Sequence, residues 1–191
     1  TFKFKFMKNI KIICAFLLVF SVANKSVAQG LGIRAGANFA TVTGGDIPQV
    51  GGITGYYAGV YYQMSLIKDF LYLQPEVQYS SQGFSSKEFG ETVDYSMDYI
   101  TLPILAKIYV IKIFSFEAGP QFGFNISDSF ETENSKGYTV ETFDPALALG
   151  FNINLPLGLS LDARYVYSFN EVVVDTNEKN QVFQAGLGFK F

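Results

Sequence analysis

The sequence predicts an all-β protein, an eight-stranded antiparallel up-and-down transmembrane β-barrel preceded by a cleavable signal peptide. Three observations lead to this fold class. The chain closes on a segment in which every second residue from Phe183 is apolar, eight such alternating segments occur along it, and their connections are long and short in turn. A strand with lipid on one side and a polar lumen on the other requires a period of two.

The amino-terminal segment has the three parts of a secretory signal. A basic stretch follows Met7, residues 12–22 are apolar, and small residues come next. The apolar stretch is shorter than the roughly 20 residues that a transmembrane helix needs. We therefore expect cleavage after Ala28. Residues 1–28 then hold the upstream residues and the signal peptide, and residues 29–191 form the barrel domain.

Eight segments account for the eight strands, each close to the roughly 9–11 residues of a tilted membrane-crossing strand. They cover residues 31–40, 55–66, 70–82, 98–109, 114–126, 144–154, 159–169 and 182–191. In each segment one face is apolar and uncharged, whereas the other carries polar residues, glycines and charges. Because Lys or Arg at mid-bilayer costs roughly 2–4 kcal/mol, the uncharged face is expected to contact lipid.

The connections between these segments alternate in length. Long connections cover residues 41–54, 83–97, 127–143 and 170–180, and short ones cover 67–69, 110–113 and 155–158. Long extracellular loops and short periplasmic turns are typical of outer-membrane barrels. An even number of strands also returns both mature termini to the periplasm. We therefore expect an integral protein of the cell outer membrane, in contact with its lipid and lipopolysaccharide.

Composition disfavours several functional classes. Five lysines precede the expected cleavage position, so the mature chain has nine basic against 17 acidic residues, a net charge of −8. Nucleic acid is an unfavourable partner for so acidic a chain. The sequence has no histidine, the commonest general base and metal ligand, and its one cysteine, Cys14, lies in the signal segment. We expect no enzymatic activity, no cofactor and no metal site.

Two other kinds of barrel stay open from the sequence. A soluble lipocalin-like ligand-binding barrel would also alternate, but its apolar face would point inward around a ligand. A Gly-x-Trp signature is expected of a lipocalin, and the chain has no tryptophan. A narrow passive pore for small solutes is the other alternative, although eight strands leave little open lumen.

Seven ionisable residues fall on the inward faces of the predicted strands: Arg34, Glu76, Lys107, Glu117, Asp162, Arg164 and Lys190. Their four positive and three negative charges nearly balance. Because an isolated buried charge is costly, we expect them to form a structural network of hydrogen-bonded ion pairs. Glu76 and Lys107, on neighbouring strands, are one such expected pair.

Three prolines fall inside predicted strands, namely Pro75, Pro103 and Pro120. Proline has no N–H group and removes one hydrogen bond from the strand ladder. A β-bulge at one or more of them is the expected accommodation.

The long connections and their edges are acidic, with thirteen carboxylates against three lysines. Acidic oxygens can hold calcium or magnesium, yet no segment has the spacing of an ordered calcium loop. The expected function is a structural or interaction role through acidic extracellular loops, with an envelope or surface protein as partner.

The closing strand alternates aromatic and aliphatic residues on its apolar face: Phe183, Ala185, Leu187, Phe189 and Phe191. These residues resemble the recognition strand that is read by the barrel-insertion machinery. We therefore expect them to act as an assembly signal, with that machinery as a partner during assembly.

Four stretches carry a resemblance to a known family: residues 31–39 (LGIRAGANF), 99–107 (YITLPILAK), 117–123 (EAGPQFG) and Arg164-Tyr165. They are similar to the PorT-like outer-membrane beta-barrel domain family over essentially the whole mature chain. The resemblance implies a small eight-stranded barrel in a Gram-negative envelope. The founding PorT protein is associated with type IX secretion and gliding, so a secretion accessory role is a weaker implication.

Overall fold

The computed structural model describes residues 30–43, 51–88, 91–128, 141–171 and 179–191. The strands in these ranges are β1 (Leu31–Thr43), β2 (Gly51–Tyr62), β3 (Met64–Ile67), β4 (Leu71–Glu88), β5 (Glu91–Tyr109), β6 (Phe114–Asp128), β7 (Phe143–Asn154), β8 (Leu159–Glu171) and β9 (Lys179–Lys190). One turn of 3₁₀ helix covers Pro156–Gly158. None of the helical structure in these ranges is long and apolar enough to span a membrane.

The described strands close into an antiparallel barrel of eight spans. β1 pairs with β2 on one side and with β9 on the other, and β2 pairs with β4, which completes the ring. β2 and β3 make up one span, because both pair with β4 and only Gln63 separates them. The predicted fold class is confirmed. The signal segment and its cleavage position lie outside the described residues, so they stay predictions.

The apolar face of the barrel points outward and the polar face points inward. On β7, Leu149 is 49% exposed, whereas Arg164 on the neighbouring β8 is 1% exposed. Aromatic rings on the outer face contact one another between strands, as do Phe39 and Phe183 with centroids 6.2 Å apart. This orientation is the reverse of that expected of a lipocalin-like barrel, so that alternative is wrong.

Part of the interior is apolar, which the sequence patterns had not indicated. One buried cluster comprises Ala40, Leu105, Ala146, Ala148, Val166 and Val182. Phe84, near the end of β4, and Tyr95, near the start of β5, are also buried, and their ring centroids are 5.3 Å apart.

The two ends of the barrel differ. The short connections, residues 68–70, 110–113 and 155–158, lie at one end, which we call the turn end. Asp69 has a positive φ of 61° in the first of these turns, a conformation that Asp adopts more readily than most residues. The opposite end is the loop end.

β4 and β5 extend past their neighbours at the loop end. They pair with each other as far as Glu88 and Glu91. Pairing of β4 with β2 stops at Ser85, and pairing of β5 with β6 stops at Met97. Beyond those points the hairpin pairs only with itself within the described residues, and we call residues 86–88 and 91–96 the projecting hairpin. The predicted loop at 83–97 was therefore wrong in extent.

The three prolines lie in strands without a bulge. Pro75, Pro103 and Pro120 each pair with a residue on one neighbouring strand and face a gap in the ladder on the other side. The register is the same before and after each gap, and the register shifts occur elsewhere, as between Asp98 and Tyr99. The expected bulge was wrong because the intact ladder on the other side of each proline holds the register.

Candidate functional site in the barrel interior

Strand register brings an arginine and a glutamate to either side of a glycine. Gly150 of β7 is paired with Glu117 of β6 and with Arg164 of β8. A Cβ atom at Gly150 would lie 2.7 Å from Glu117 Cγ. The missing side chain therefore leaves the space in which Arg164 Nε and Nη2 donate to Glu117 Oε1, at 2.8 and 2.5 Å.

Two arginines share the carboxylate of Glu76. Arg164 Nη1 and Nη2 donate to its two oxygens at 3.0 and 2.8 Å, and Arg34 Nη1 donates to the same pair at 3.1 and 3.3 Å. Arg34 Nη2 also donates to Asp162 Oδ2. We call Arg34, Glu76, Glu117, Asp162 and Arg164 the ion cluster. Its members come from β1, β4, β6 and β8, so it crosses the lumen from wall to wall.

Neutral side chains add hydrogen bonds to the ion cluster, in which Arg34 Nε and Glu117 Oε2 are buried without a partner. Tyr57 donates its hydroxyl to Asp162 Oδ2 at 2.6 Å, and Gln74 Nε2 donates to Glu76 Oε1 at 2.6 Å. Gln78 also donates to Glu76. Sequence reasoning placed these residues on inward faces but did not assign them to the site.

The ion cluster is buried, with every member at most 6% exposed. Removing charges from water is costly, and the cost is offset only when each charge has several well-placed partners. The arginines have such partners here because their planar, forked side chains can bond two carboxylates at once. The interior of an eight-stranded barrel is just wide enough to be filled by side chains of this size.

The two lysines of the predicted network lie outside the ion cluster. Among the described residues, the five ion pairs all join members of the cluster. The expected pair of Glu76 and Lys107 was therefore wrong, because two arginines occupy Glu76. Lys107 is buried, with Nζ 5.7 Å from the centroid of the Tyr109 ring. Lys190 Nζ donates to Gln63 Oε1 at 3.4 Å.

A layer of amides and hydroxyls follows the ion cluster toward the loop end. Asn38 Nδ2 donates to Ser80 Oγ at 2.9 Å, and Gln184 Nε2 donates to Asn38 Oδ1 at 3.1 Å. Asn180 Nδ2 donates to Gln82 Oε1 at 2.5 Å. Apolar side chains are interleaved with these amides, as Val182 lies between Gln184 and Asn180 on the inward face of β9. In the part of the chain that the structure describes, no group of His, Cys, Asp or Glu side chains is arranged to hold a metal ion.

The residues of the expected assembly signal lie along the outer face of the closing strand. Phe183, Leu187, Phe189 and Phe191 are exposed, and the rings of the last two meet edge to face with centroids 5.2 Å apart. Their recognition by an insertion machinery stays a prediction. Residues 129–140, most of the third long connection, lie outside the described residues.

Two solved structures have a fold similar to that of this barrel. Ail, the attachment invasion locus protein of Yersinia pestis, shares 15% identity over 85% of this chain and 99% of its own, with a TM-score of 0.54. Neisserial surface protein A shares 18% identity over 85% of this chain and 97% of its own, with a TM-score of 0.53. At such identities the likeness shows the fold alone. No curated protein sequence matches the chain.

The family match covers most of the chain, from before β1 to beyond the end of β8. Residues 26–174 match the outer membrane protein beta-barrel domain. This match identifies the outward apolar face as the surface that contacts membrane lipid. The chain belongs to the outer membrane protein beta-barrel domain family and is an integral outer-membrane protein.

Proposed function

We propose that the protein is a non-conducting outer-membrane barrel that acts through contacts at its loop end. The observation that carries this proposal is the ion cluster. In it, Arg34 and Arg164 bind carboxylates on β4, β6 and β8. Its side chains occupy the cross-section through which a solute would have to pass. Glu76 alone accepts four hydrogen bonds from the two arginines, so a path through the cluster would require several charge-assisted bonds to break together.

The loop end offers the surface on which such contacts would form. The projecting hairpin extends the wall of the barrel on one side, and its sequence includes Glu88, Glu91 and Asp94. We propose that this end is extracellular and that the mature termini are periplasmic. Function resides on loops more often than on the scaffold that carries them, and the acidic character favours a partner with a basic surface.

The narrow passive pore is the weaker candidate. A pore needs a continuous water-filled path, and 16 to 18 strands are the size at which barrels leave one open. Here buried amide and apolar side chains occupy the interior on the loop side of the ion cluster. We likewise propose no enzymatic activity and no cofactor.

The resemblance to PorT-like barrels supports a narrower form of the proposal. In that form, the partner at the barrel surface belongs to a secretion apparatus of the envelope. The resemblance rests on barrel motifs such as residues 99–107 and 117–123, which form β5 and β6. Identification of the partner therefore decides between a secretion accessory and another envelope role.

The test removes the projecting hairpin and keeps the barrel. Replacing residues 86–93 by Asn-Gly joins Ser85 to Asp94, which are paired across the two strands, through a turn suited to hairpins. A matched control keeps the hairpin length and carries Glu88→Gln and Glu91→Gln. Partners are identified by crosslinking on intact cells and mass spectrometry.

We expect the shortened barrel to fold and to lose the crosslinks of the intact barrel. The control variant removes two negative charges and keeps the length of the hairpin. It therefore distinguishes the effect of charge from the effect of shape. Identical partner sets from the intact and shortened barrels would contradict a function at the projecting hairpin.

A further inference from the structure

We propose that the turn end of the barrel contains a binding site for a small phosphate-type oxyanion. The site is a cavity of about 240 Å³ that opens at this end. Three lysines, Lys107, Lys112 and Lys190, line it, and its described lining includes no carboxylate. This inference concerns the opposite end from the proposed contacts at the loop end and does not depend on them.

Lys107 is the central observation. It is 4% exposed, it lines the cavity, and it belongs to none of the ion pairs among the described residues. Lysine has three N–H donors and no acceptor. A buried ammonium group without a paired carboxylate is costly, and an anion in the cavity would supply the missing partner.

The charge of the surroundings sets the charge of the ligand. The ion cluster, with two arginines and three carboxylates, carries a net charge of −1 and lies behind Lys107. The ion cluster and the three lysines that line the cavity together carry a net charge of +2. A concave site lined by one sign of charge concentrates counter-ions. A dianion would neutralise the net charge of +2 at this site.

Polar side chains around the lysines suit an oxyanion. Ser160 and the tyrosines Tyr61 and Tyr109 also line the cavity. A second space of about 10 Å³ shares Tyr61, Lys107 and Ser160 with it. That space is also lined by Asn152 and by the ion pair of Arg34 and Asp162. In the described part of the chain, Asn152 Nδ2 is buried without a hydrogen-bond partner, so it adds a further donor behind the lysines.

The size of the cavity limits the ligand. Sites for drug-sized molecules occupy roughly 300–1,000 Å³, and this cavity is smaller. A free phosphate ion fits it, as does the phosphate monoester of a lipid headgroup that enters from the turn end. Both sources present the same charged oxygens to the lysines.

The experiment uses the folded chain in micelles of dodecyl maltoside, a detergent that contains no phosphate. Inorganic phosphate and glycerol 3-phosphate, a soluble headgroup analogue, are titrated separately, and backbone amide shifts are followed by NMR. We expect saturable shifts at Gln63, Lys107 and Ser160. The principal variant carries Lys112→Gln and Lys190→Gln, and the matched control carries Lys68→Gln, a lysine of the 68–70 turn that does not line the cavity.

The double variant should bind about tenfold more weakly or worse, as expected for the loss of charge-assisted hydrogen bonds, and the Lys68→Gln control should bind as the unmodified chain does. Saturation by inorganic phosphate supports a free-ion site, and saturation by glycerol 3-phosphate alone supports a headgroup site. Shifts that do not saturate with either probe, or equal affinities for the control and the double variant, would overturn the proposal.

Discussion

Arg164 joins two other strands of the barrel through one buried side chain. Its guanidinium group donates to Glu76 on β4 and to Glu117 on β6 from a position on β8. Strands that are distant in sequence are thereby joined through one residue. The stability of the barrel should accordingly depend on this charge.

Arg164→Met should reduce the free energy of unfolding by about 3–5 kcal/mol, because two buried carboxylates would be left with fewer partners. Urea unfolding in detergent micelles, followed by tyrosine fluorescence, measures the change. Adding Glu117→Gln to the variant should restore part of the loss, since it removes one of those carboxylates. A single variant as stable as the unmodified barrel would contradict this role.

Leu149 tests the orientation of the outer face. Leu149→Arg should cost about 2–4 kcal/mol, the penalty for arginine near the bilayer midplane, whereas Leu149→Phe should cost little because it stays apolar. The yield of folded barrel in membranes compares the two. Similar yields would mean that the position does not contact lipid. Gly150→Ser cannot serve as a matched control on the inward face, because the added Cβ would lie 2.7 Å from Glu117 Cγ.

The inward position of the charged residues could be predicted from alternation, but their partners could not. The odd or even position of a residue along its strand indicates which face of the sheet its side chain occupies. It does not indicate which residues that side chain contacts across the lumen. Glu76 and Lys107 lie on adjacent strands, yet Glu76 bonds Arg34 and Arg164 from across the barrel. The length and forked geometry of arginine decide this pairing.

At the scale of the element, β5 shows why some strand ends were misplaced. Ile100 and Leu102 lie on its outward face, in keeping with a lipid-facing apolar row, but Tyr95 and Met97 are buried on the inward face. A search for apolar residues facing lipid therefore stops at Asp98. The strand continues because its apolar residues there pack inside the barrel instead of against lipid.

The closing pair of strands, β1 and β9, makes a testable prediction. Gly36 pairs directly with Gly186, and a Cβ at Gly186 would lie within 3.0 Å of the Ala35 carbonyl carbon. Gly186→Val should therefore hinder closure, whereas Ala185→Val, on the outward parity of β9, should not. The folded fraction is read from heat-modifiable migration on gels. Equal folded fractions for the two variants would contradict this packing.

At the scale of the whole molecule, the two ends carry opposite charge. The long connections and their edges hold thirteen carboxylates against three lysines, whereas Lys68, Lys112 and Lys190 lie at the turn end with Asp69 as the acid of its first turn. Composition alone predicted the acidic loop end. It could not predict the cavity at the turn end, which depends on how Lys107 and Lys190 converge from β5 and β9.

Single-channel recording in planar bilayers tests the central claim, that the interior is closed by its own side chains. The purified barrel is inserted at known density, with a 16-stranded porin as the positive control for insertion and detection. We expect no stable unitary conductance from this protein, because the ion cluster crosses the lumen and buried amide and apolar side chains occupy the interior beyond it. Reproducible unitary steps from the unmodified barrel would contradict the account and would support a pore.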